Sequence, residues 1–229
     1  MRYLRQIAVK EIGKEGQEKL SKAKVAIIGC GALGSMGAVE LAAAGVGKLL
    51  LVDFDTIDIS NLQRQFFYTT EDLGKKKTEI LESHIKRANP DIEIERADKF
   101  LTKENAKVLL KDYDFVIEAT DNASSKKMID NVCRGLSKAC CIGGVSGFRG
   151  QVFTSIPDGN GFETFFPEID ESGILPCELE GVLGPAAALC ASLQASEAIK
   201  YIVGKGEILI SKLLVFDLLS NEFNVFTTD

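Results

Sequence analysis

The stretch KVAIIGCGALG, residues 24–34, constrains the fold of this chain more than any other. A short β-branched run ends in glycine, and the segment from Gly34 to Ala44 is small and apolar with Glu40 as its one charge. Strand, tight turn and helix follow each other without a gap. The alternation then recurs. KLLLVDFD (48–55) reads as a second strand, KKKTEILESHIKRANP (75–90) as a helix closed by Asn-Pro, and IEIERAD (92–98) as a third strand. TKENAKVLLKD is a helix, and DFVIEATDN (114–122) is a strand that breaks off at acid and amide. This spacing predicts an α/β fold, a doubly wound Rossmann-like sheet that is mainly parallel. In such sheets ligands bind at the carboxyl ends of the strands, which gathers Gly29 to Gly34, Asp53 and Asp121 around one crevice.

Past KACCIGGVSG (138–147) the alternation weakens. RGQVFTSIPDGNGFETFFPEIDESGILPCELEGVLG holds one strand and then a stretch rich in Gly, Pro and acid, expected to be a mobile loop. PAAALCASLQASEAIKYIVGKG is a helix with Pro185 near its start and Gly204 near its stop, and EILISKLLVFDLLSNEFNVFTTD reads as antiparallel terminal strands around a Ser-Asn turn. A chain of 229 residues suits one α/β domain with appendages. The expected division is a helical arm over 1–22, a nucleotide-binding core over 23–150, a mobile loop region over 151–184 and a C-terminal helix and strands over 185–229. The apolar part of that helix, from Pro185 to Leu193, is too short to span a bilayer and reads as a core helix or a subunit interface.

GCGALG supplies the spacing GxGxxG through Gly29, Gly31 and Gly34, between a strand and a helix whose N-terminus favours negative charge. Asp53, at the end of the second strand, stands where an acid accepts hydrogen bonds from ribose hydroxyls. These residues alone do not separate NAD from ATP. SNLQRQFF (60–67) adds Asn61, Arg64 and Gln65, with Phe66 and Phe67 expected to be buried and to anchor the loop. Lys77 starts the next helix, and Asp121 and Asn122 end the fourth strand. A bidentate guanidinium and an ammonium suit a triphosphate, and a carboxylate suits Mg²⁺ bridging phosphate oxygens. A hydride-transfer enzyme usually needs a proton donor. The sole histidine, His84, lies on the helix carrying Ile80, Leu81 and Ile85 and reads as structural. Taken singly, Arg64 or Lys77 is a solvated surface charge and Asp121-Asn122 a helix cap; it is the combination that points to a nucleotide.

The balance of 27 basic to 33 acidic residues, a formal charge of −6, argues against broad binding to nucleic acid or an anionic membrane, so an anionic ligand must be held by a local cluster. MRYLRQIAVKEIGKEGQ carries charge throughout and lacks a signal-peptide pattern, which places the expected location in the cytoplasm. The six cysteines, Cys30, Cys133, Cys140, Cys141, Cys177 and Cys190, include no CxxC pair; free thiols and no structural metal are expected.

RYLRQI, GCGALG, VDFD with SNLQRQF, GKKK, EATDN and GVLGP with SLQASEAIK follow one another in this order over nearly the whole chain. Together they resemble the ubiquitin-activating-enzyme-like superfamily, in particular its ThiF/MoeB/HesA type, the sulfur-carrier-protein adenylyltransferases. The resemblance implies ATP and Mg²⁺ as cofactors and a homodimer. The implied reaction adenylates the C-terminal glycine of a small ubiquitin-like sulfur-carrier protein ending in Gly-Gly, with release of pyrophosphate, for thiamine or molybdopterin-type sulfur transfer. Carried over position by position, Asp53 would hold the ribose, Asn61, Arg64 and Lys77 the phosphates, and Asp121 the metal. Arg5 matches an arginine that reaches into the partner subunit's active site, and Cys177 a cysteine that can link to the carrier's activated C-terminus. Relatives often hold zinc through two CxxC pairs, but here Gly161 and Thr164 stand at the first of them, so zinc is not expected. The sulfur donor is expected to be a separate protein. The alternatives are adenylation of another carboxylate, on a peptide precursor or a tRNA, an NAD-dependent oxidoreductase, and a catalytically silent binding module. An acidic chain with no basic stripe weighs against tRNA.

Overall fold

The structure, a computed structural model, describes residues 2–167 and 181–228. β1 (Lys24–Ile28) is enclosed on both faces from Val25 onward, as a strand covered by helices on either side must be. It pairs in parallel with β2 (Lys48–Val52), which pairs in parallel with β3 (Glu93–Ala97). On its other side β1 pairs in parallel with β4 (Phe115–Glu118), and β4 with β5 (Ala139–Ser146). Beyond β5 the sheet turns antiparallel through β6 (Arg149–Ser155), β7 (Lys212–Asp217) and β8 (Glu222–Thr227). The result is one 8-stranded sheet in the order β3-β2-β1-β4-β5-β6-β7-β8. The chain leaves β1 toward β2 and later returns to β4 on the opposite side. Connections that diverge in this way open a cleft at the strand ends.

The helices are α1 (Leu4–Ile7), α2 (Gly13–Lys22), α3 (Ala32–Ala44), α4 (Lys77–Ala88), α5 (Lys103–Leu110), α6 (Ala123–Gly135), α7 (Phe162–Phe165) and α8 (Gly184–Val203). Alternation along the strands divides the core. Val25, Ile27, Leu49, Leu51, Phe115 and Ile117 pack with Leu41 of α3, Leu81 of α4 and the alanine-rich face of α8. Ala26, Ile28, Leu50, Val52 and Val116 pack with Leu110 of α5 and Ile129 of α6 on the other face. α3 ends at Gly45 and α8 at Gly204, both in the left-handed conformation that lets a helix stop sharply. Pro185 occupies the first turn of α8, where its missing N–H has no helical partner to lose.

The segment expected to be a mobile loop over 151–184 is in part regular, since β6 extends to Ser155 and Phe162–Phe165 forms α7. The rings of Phe165 and Phe153 lie 4.8 Å apart, and Phe162 and Phe166 join them, so apolar packing holds this stretch against the sheet.

Candidate active site

A crevice of about 770 Å³ opens at the carboxyl ends of β1, β2, β4 and β5. Its floor begins at the turn after β1. Gly29 has φ +90, and a Cβ there would stand 2.7 Å from the Ala119 carbonyl oxygen, so only glycine fits. Gly31 is open: a Cβ would meet nothing nearer than Gln65 Nε2 at 3.5 Å. Gly34 differs from both. It does not line the crevice, and a Cβ on it would fall on the Gly29 carbonyl oxygen. Its role is to let α3 pack onto the turn. No side chain caps the start of α3, which leaves its first N–H groups directed at the crevice as a site for an anion.

Asp53 is fixed in place by its neighbours. Its Oδ2 accepts the Cys30 N–H at 2.6 Å and its Oδ1 accepts the Asp55 N–H at 2.8 Å. Burial pushes the Cys30 thiol well above its ordinary range, so it is no nucleophile at neutral pH.

The SNLQRQFF loop is ordered by its own hydrogen bonds. Asp58 caps a short 3₁₀ turn over Ile59–Asn61, accepting the Ser60 N–H at 2.8 Å, and Asn61 Oδ1 accepts the Asp58 N–H at 3.3 Å. Arg64 donates to the Ser60 carbonyl oxygen at 2.9 Å, a neutral partner that leaves the guanidinium its full charge. Gln65 is 4% exposed, and its Oε1 is enclosed without a hydrogen-bond partner among the described residues. A buried amide oxygen in that condition calls for a donor. Phe67 packs on His84, ring centroids 4.7 Å apart.

Phe66 corrects the expectation of two buried phenylalanines, for it is 49% exposed. Its ring edge lies against the start of α8, where a Cβ on Gly184 would be 2.8 Å from Phe66 Cζ, and the remainder faces outward. Phe67 is only half-buried, and the buried anchor is Tyr68, whose hydroxyl donates to the Cys30 carbonyl oxygen at 2.7 Å and so ties the loop to the glycine turn.

Lys77 is buried, and its Nζ lies 2.9 Å from Asp55 Oδ2. Asp121 is exposed at the crevice wall. Asn122 caps α6, its Oδ1 accepting the Ser125 N–H at 2.9 Å, while its Nδ2 donates to Asp121 Oδ1 at 3.4 Å and keeps one further N–H on the crevice side. The capping reading therefore holds for Asn122. Gly29, Gly31, Asp53, Asn61, Arg64, Gln65, Lys77, Asp121 and Asn122 all line the one crevice. Arg5 does not: it is exposed on α1, away from the crevice of its own chain. His84 also lies outside it. Cys177 falls outside the described residues.

Residues not anticipated from sequence line the walls or stand directly behind them, Glu118 being one of those behind. Asp55 partners Lys77. Glu118, at the end of β4, is 0% exposed, and its carboxylate accepts the Lys126 ammonium at 2.7 Å. Burial pushes this carboxyl up, while Lys126 and then Thr120 pull it down. Gln151 and Arg149 of β6 extend the crevice past β5, and Arg149 pairs with Asp217 at 2.7 Å. A lysine one turn into α6 opposite a strand-terminal glutamate was the available signal; charged residues at strand ends mark a crevice only once the sheet order is known.

The fit to a nucleotide rests on the open Gly31, the uncapped α3 start, the cations Arg64 and Lys77 and the orphaned Gln65 oxygen. Among the described residues no cluster of three or more His, Cys, Asp or Glu could cage a metal. A magnesium ion that keeps its waters and phosphate ligands needs one carboxylate from the protein, and Asp121 is placed to provide it. At Gly161 and Thr164 the Gly161 N–H donates to Thr164 Oγ1 at 3.3 Å, closing the start of α7. No described helix is long and apolar enough to cross a membrane.

A family model described as the ThiF family matches residues 3–229. The SAMP-activating enzyme E1 of Haloferax volcanii is 36% identical over 223 residues, 97% of this chain and 83% of that protein. The sulfur carrier protein ThiS adenylyltransferase of Escherichia coli (strain K12) is 36% identical over 225 residues, 97% of this chain and 89% of that protein. Among solved structures, E. coli MccB with MccA-N7isoASN superposes with a TM-score of 0.89 over 99% of this chain and 72% of that one, at 22% identity. That likeness concerns the fold.

Proposed function

The chain belongs to the ThiF family, and on that premise we propose that it adenylates the C-terminal glycine of a small ubiquitin-like sulfur-carrier protein, consuming ATP and releasing pyrophosphate. The similar sulfur carrier protein ThiS adenylyltransferase, 89% of whose length this chain covers, supports the reaction class. The observation that carries the reading is the convergence of Arg64 and Lys77 on the glycine turn and the uncapped start of α3.

In this reaction a carrier carboxylate attacks the α-phosphorus and the bond to pyrophosphate breaks. Two anions are brought together, so catalysis depends on cations and in-line positioning more than on a base. α3's N–H groups and Gly31 receive phosphate, Asp53 accepts from the ribose, and Arg64 and Lys77 neutralise the departing pyrophosphate. Asn61 and the amide of Asn122 donate at the rim. Asp121 would hold Mg²⁺, which supplies charge neutralisation across the phosphate oxygens. The crevice extends past Gly144 and Gly150 toward Gln151, and on this reading that extension receives the carrier's Gly-Gly terminus.

The same reading includes a homodimer in which Arg5 serves the partner's site, a separate sulfur donor, and a role in thiamine or molybdopterin-type sulfur transfer. Cys177 would link to the activated carrier; intact-mass measurement should show an adduct that is lost in Cys177→Ser.

The test is exchange of labelled pyrophosphate into ATP with a ubiquitin-like carrier ending in Gly-Gly. Exchange should require the carrier and vanish when its terminal glycine is removed. Tight NAD binding with no response to ATP would overturn the reading.

A further inference from the structure

Lys126 borders the crevice, yet its hydrogen bonds all go to the protein. Its Nζ donates to Glu118 Oε2 at 2.7 Å, to the Thr120 carbonyl oxygen at 2.6 Å and to the Gly143 carbonyl oxygen at 2.7 Å. An ammonium has three N–H donors, and all are taken. The side chain is 12% exposed and Glu118 is wholly enclosed. Glu118 turns its other oxygen to the same segment, where Oε1 accepts the Thr120 N–H at 2.8 Å and also the Thr120 hydroxyl. Gln194 of α8 holds the strand from behind, donating to the Glu118 carbonyl oxygen at 2.7 Å and to that of Cys141 at 3.0 Å.

These bonds close a clasp. The turn from Ala119 to Asn122 leaves β4 and enters α6, and it carries Asp121 and Asn122. Its base is fixed, since Ala119 packs on the core and donates its N–H to the Ile28 carbonyl oxygen at 2.9 Å, but Asp121 and Asn122 at its tip are exposed. Between base and tip the backbone is tied through Thr120 to Glu118 below it, and through Lys126 to the Gly143 backbone of β5.

We propose that Lys126 is a positioning residue: with Glu118 and Thr120 it sets the turn that presents Asp121 to the metal–triphosphate, and it does not itself bind phosphate. This rests on the nucleotide reading of the crevice. It also separates the crevice cations by task, since Arg64, bonded only to a neutral carbonyl oxygen, brings its charge to the ligand while Lys126 spends its donors on the protein.

The experiment measures ATP affinity by calorimetry in Mg²⁺ and in EDTA for wild type, Lys126→Met and Lys126→Arg. Amide exchange at Thr120 is followed in each protein without nucleotide. For Lys126→Met the affinity in EDTA should stay within about twofold of wild type, while the gain conferred by Mg²⁺ shrinks about tenfold or more. Thr120 exchange should quicken about tenfold. Lys126→Arg, which keeps charge and several donors, should recover much of the Mg²⁺ gain. Equal loss of affinity in both media would show that Lys126 contacts phosphate and would overturn the proposal, as would an unchanged Mg²⁺ gain. Removing Lys126 strands a buried carboxylate and can unfold the protein. In that case Lys126→Met with Glu118→Met removes both charges: a folded double variant lacking the Mg²⁺ gain supports the clasp, and one that regains it refutes the clasp. A wild type that binds no ATP would sink the adenylation reading alone. Thr120 exchange then decides the clasp, faster exchange in Lys126→Met supporting it and unchanged exchange ending it.

Discussion

Lys77 Nζ and Asp55 Oδ2 stand 2.9 Å apart on the crevice floor and are unequally covered, with side-chain exposure of 7% for the lysine and 46% for the aspartate. An arriving phosphate competes with Asp55 for an ammonium that has little access to water. Asp55→Asn should therefore lower the Tm of the protein alone, since it leaves an enclosed cation without its carboxylate, and should enlarge the Tm rise on adding ATP. Lys77→Met should weaken ATP about tenfold or more in calorimetry. Wild-type affinity in that variant would take Lys77 out of the site.

Asp121→Ala should reduce carrier-dependent pyrophosphate exchange roughly 10²-fold or more, the scale for losing a metal carboxylate in the transition state. His84→Gln should stay near wild type, because His84 lies outside the crevice. Full exchange in the Asp121 variant would remove that residue from the mechanism.

Arg5 is exposed on α1 and is not among the described residues that line its own chain's crevice, and the role proposed for it is in a partner subunit. Mixing Arg5→Ala with Asp121→Ala should restore exchange, up to about one working site in each mixed dimer, because the two defects segregate to different sites. If verified subunit exchange brings no recovery, Arg5 has no such role.

His84 is the chain's single histidine and rests against Phe67. Burial first, and the neighbouring Arg87 second, hold its imidazole below the ordinary 6.5. As pH falls through about 6.5 the unfolded chain takes up the proton before the native one does. The stability associated with neutral His84 is thus complete above that pH and is lost as pH falls through the lowered native value. Replacing His84 by Gln should flatten this part of the stability curve. An NMR titration of the native imidazole should show a midpoint below 6.5; one at or above it would contradict the packing argument.

The order of strands and helices was legible because its signals are local. VAII, LLLV and FVIE are each enclosed runs of strand length, and Gly45, Pro185 and Gly204 punctuate helices by backbone preferences that act within a few residues. The topology rule then brought Gly29, Asp53 and Asp121 to the same strand ends. Arg64 and Lys77 followed because they lie on the segment that leads out of β2 and into α4.

What the tertiary structure alone decided depends on residues distant in the chain. Phe66 and Phe67 are neighbours of equal hydrophobicity, and which one is the more covered depends on where His84 of α4 and Gly184 of α8 come to lie. Tyr68 becomes an anchor only because the Cys30 carbonyl oxygen stands within reach of its hydroxyl. Gly34 belongs to the phosphate-binding spacing, yet the close approach of α3 to its own turn makes it a packing residue. Lys126 reads as one of two adjacent surface lysines until β4 and β5 pair and place Glu118 and the Gly143 carbonyl oxygen around its ammonium. Periodicity and turn chemistry are properties of a segment, so sequence determines them. The partner of a buried charge is a property of the assembled sheet, because removing water from an ion makes its stability depend on whichever groups the fold has brought within hydrogen-bonding distance.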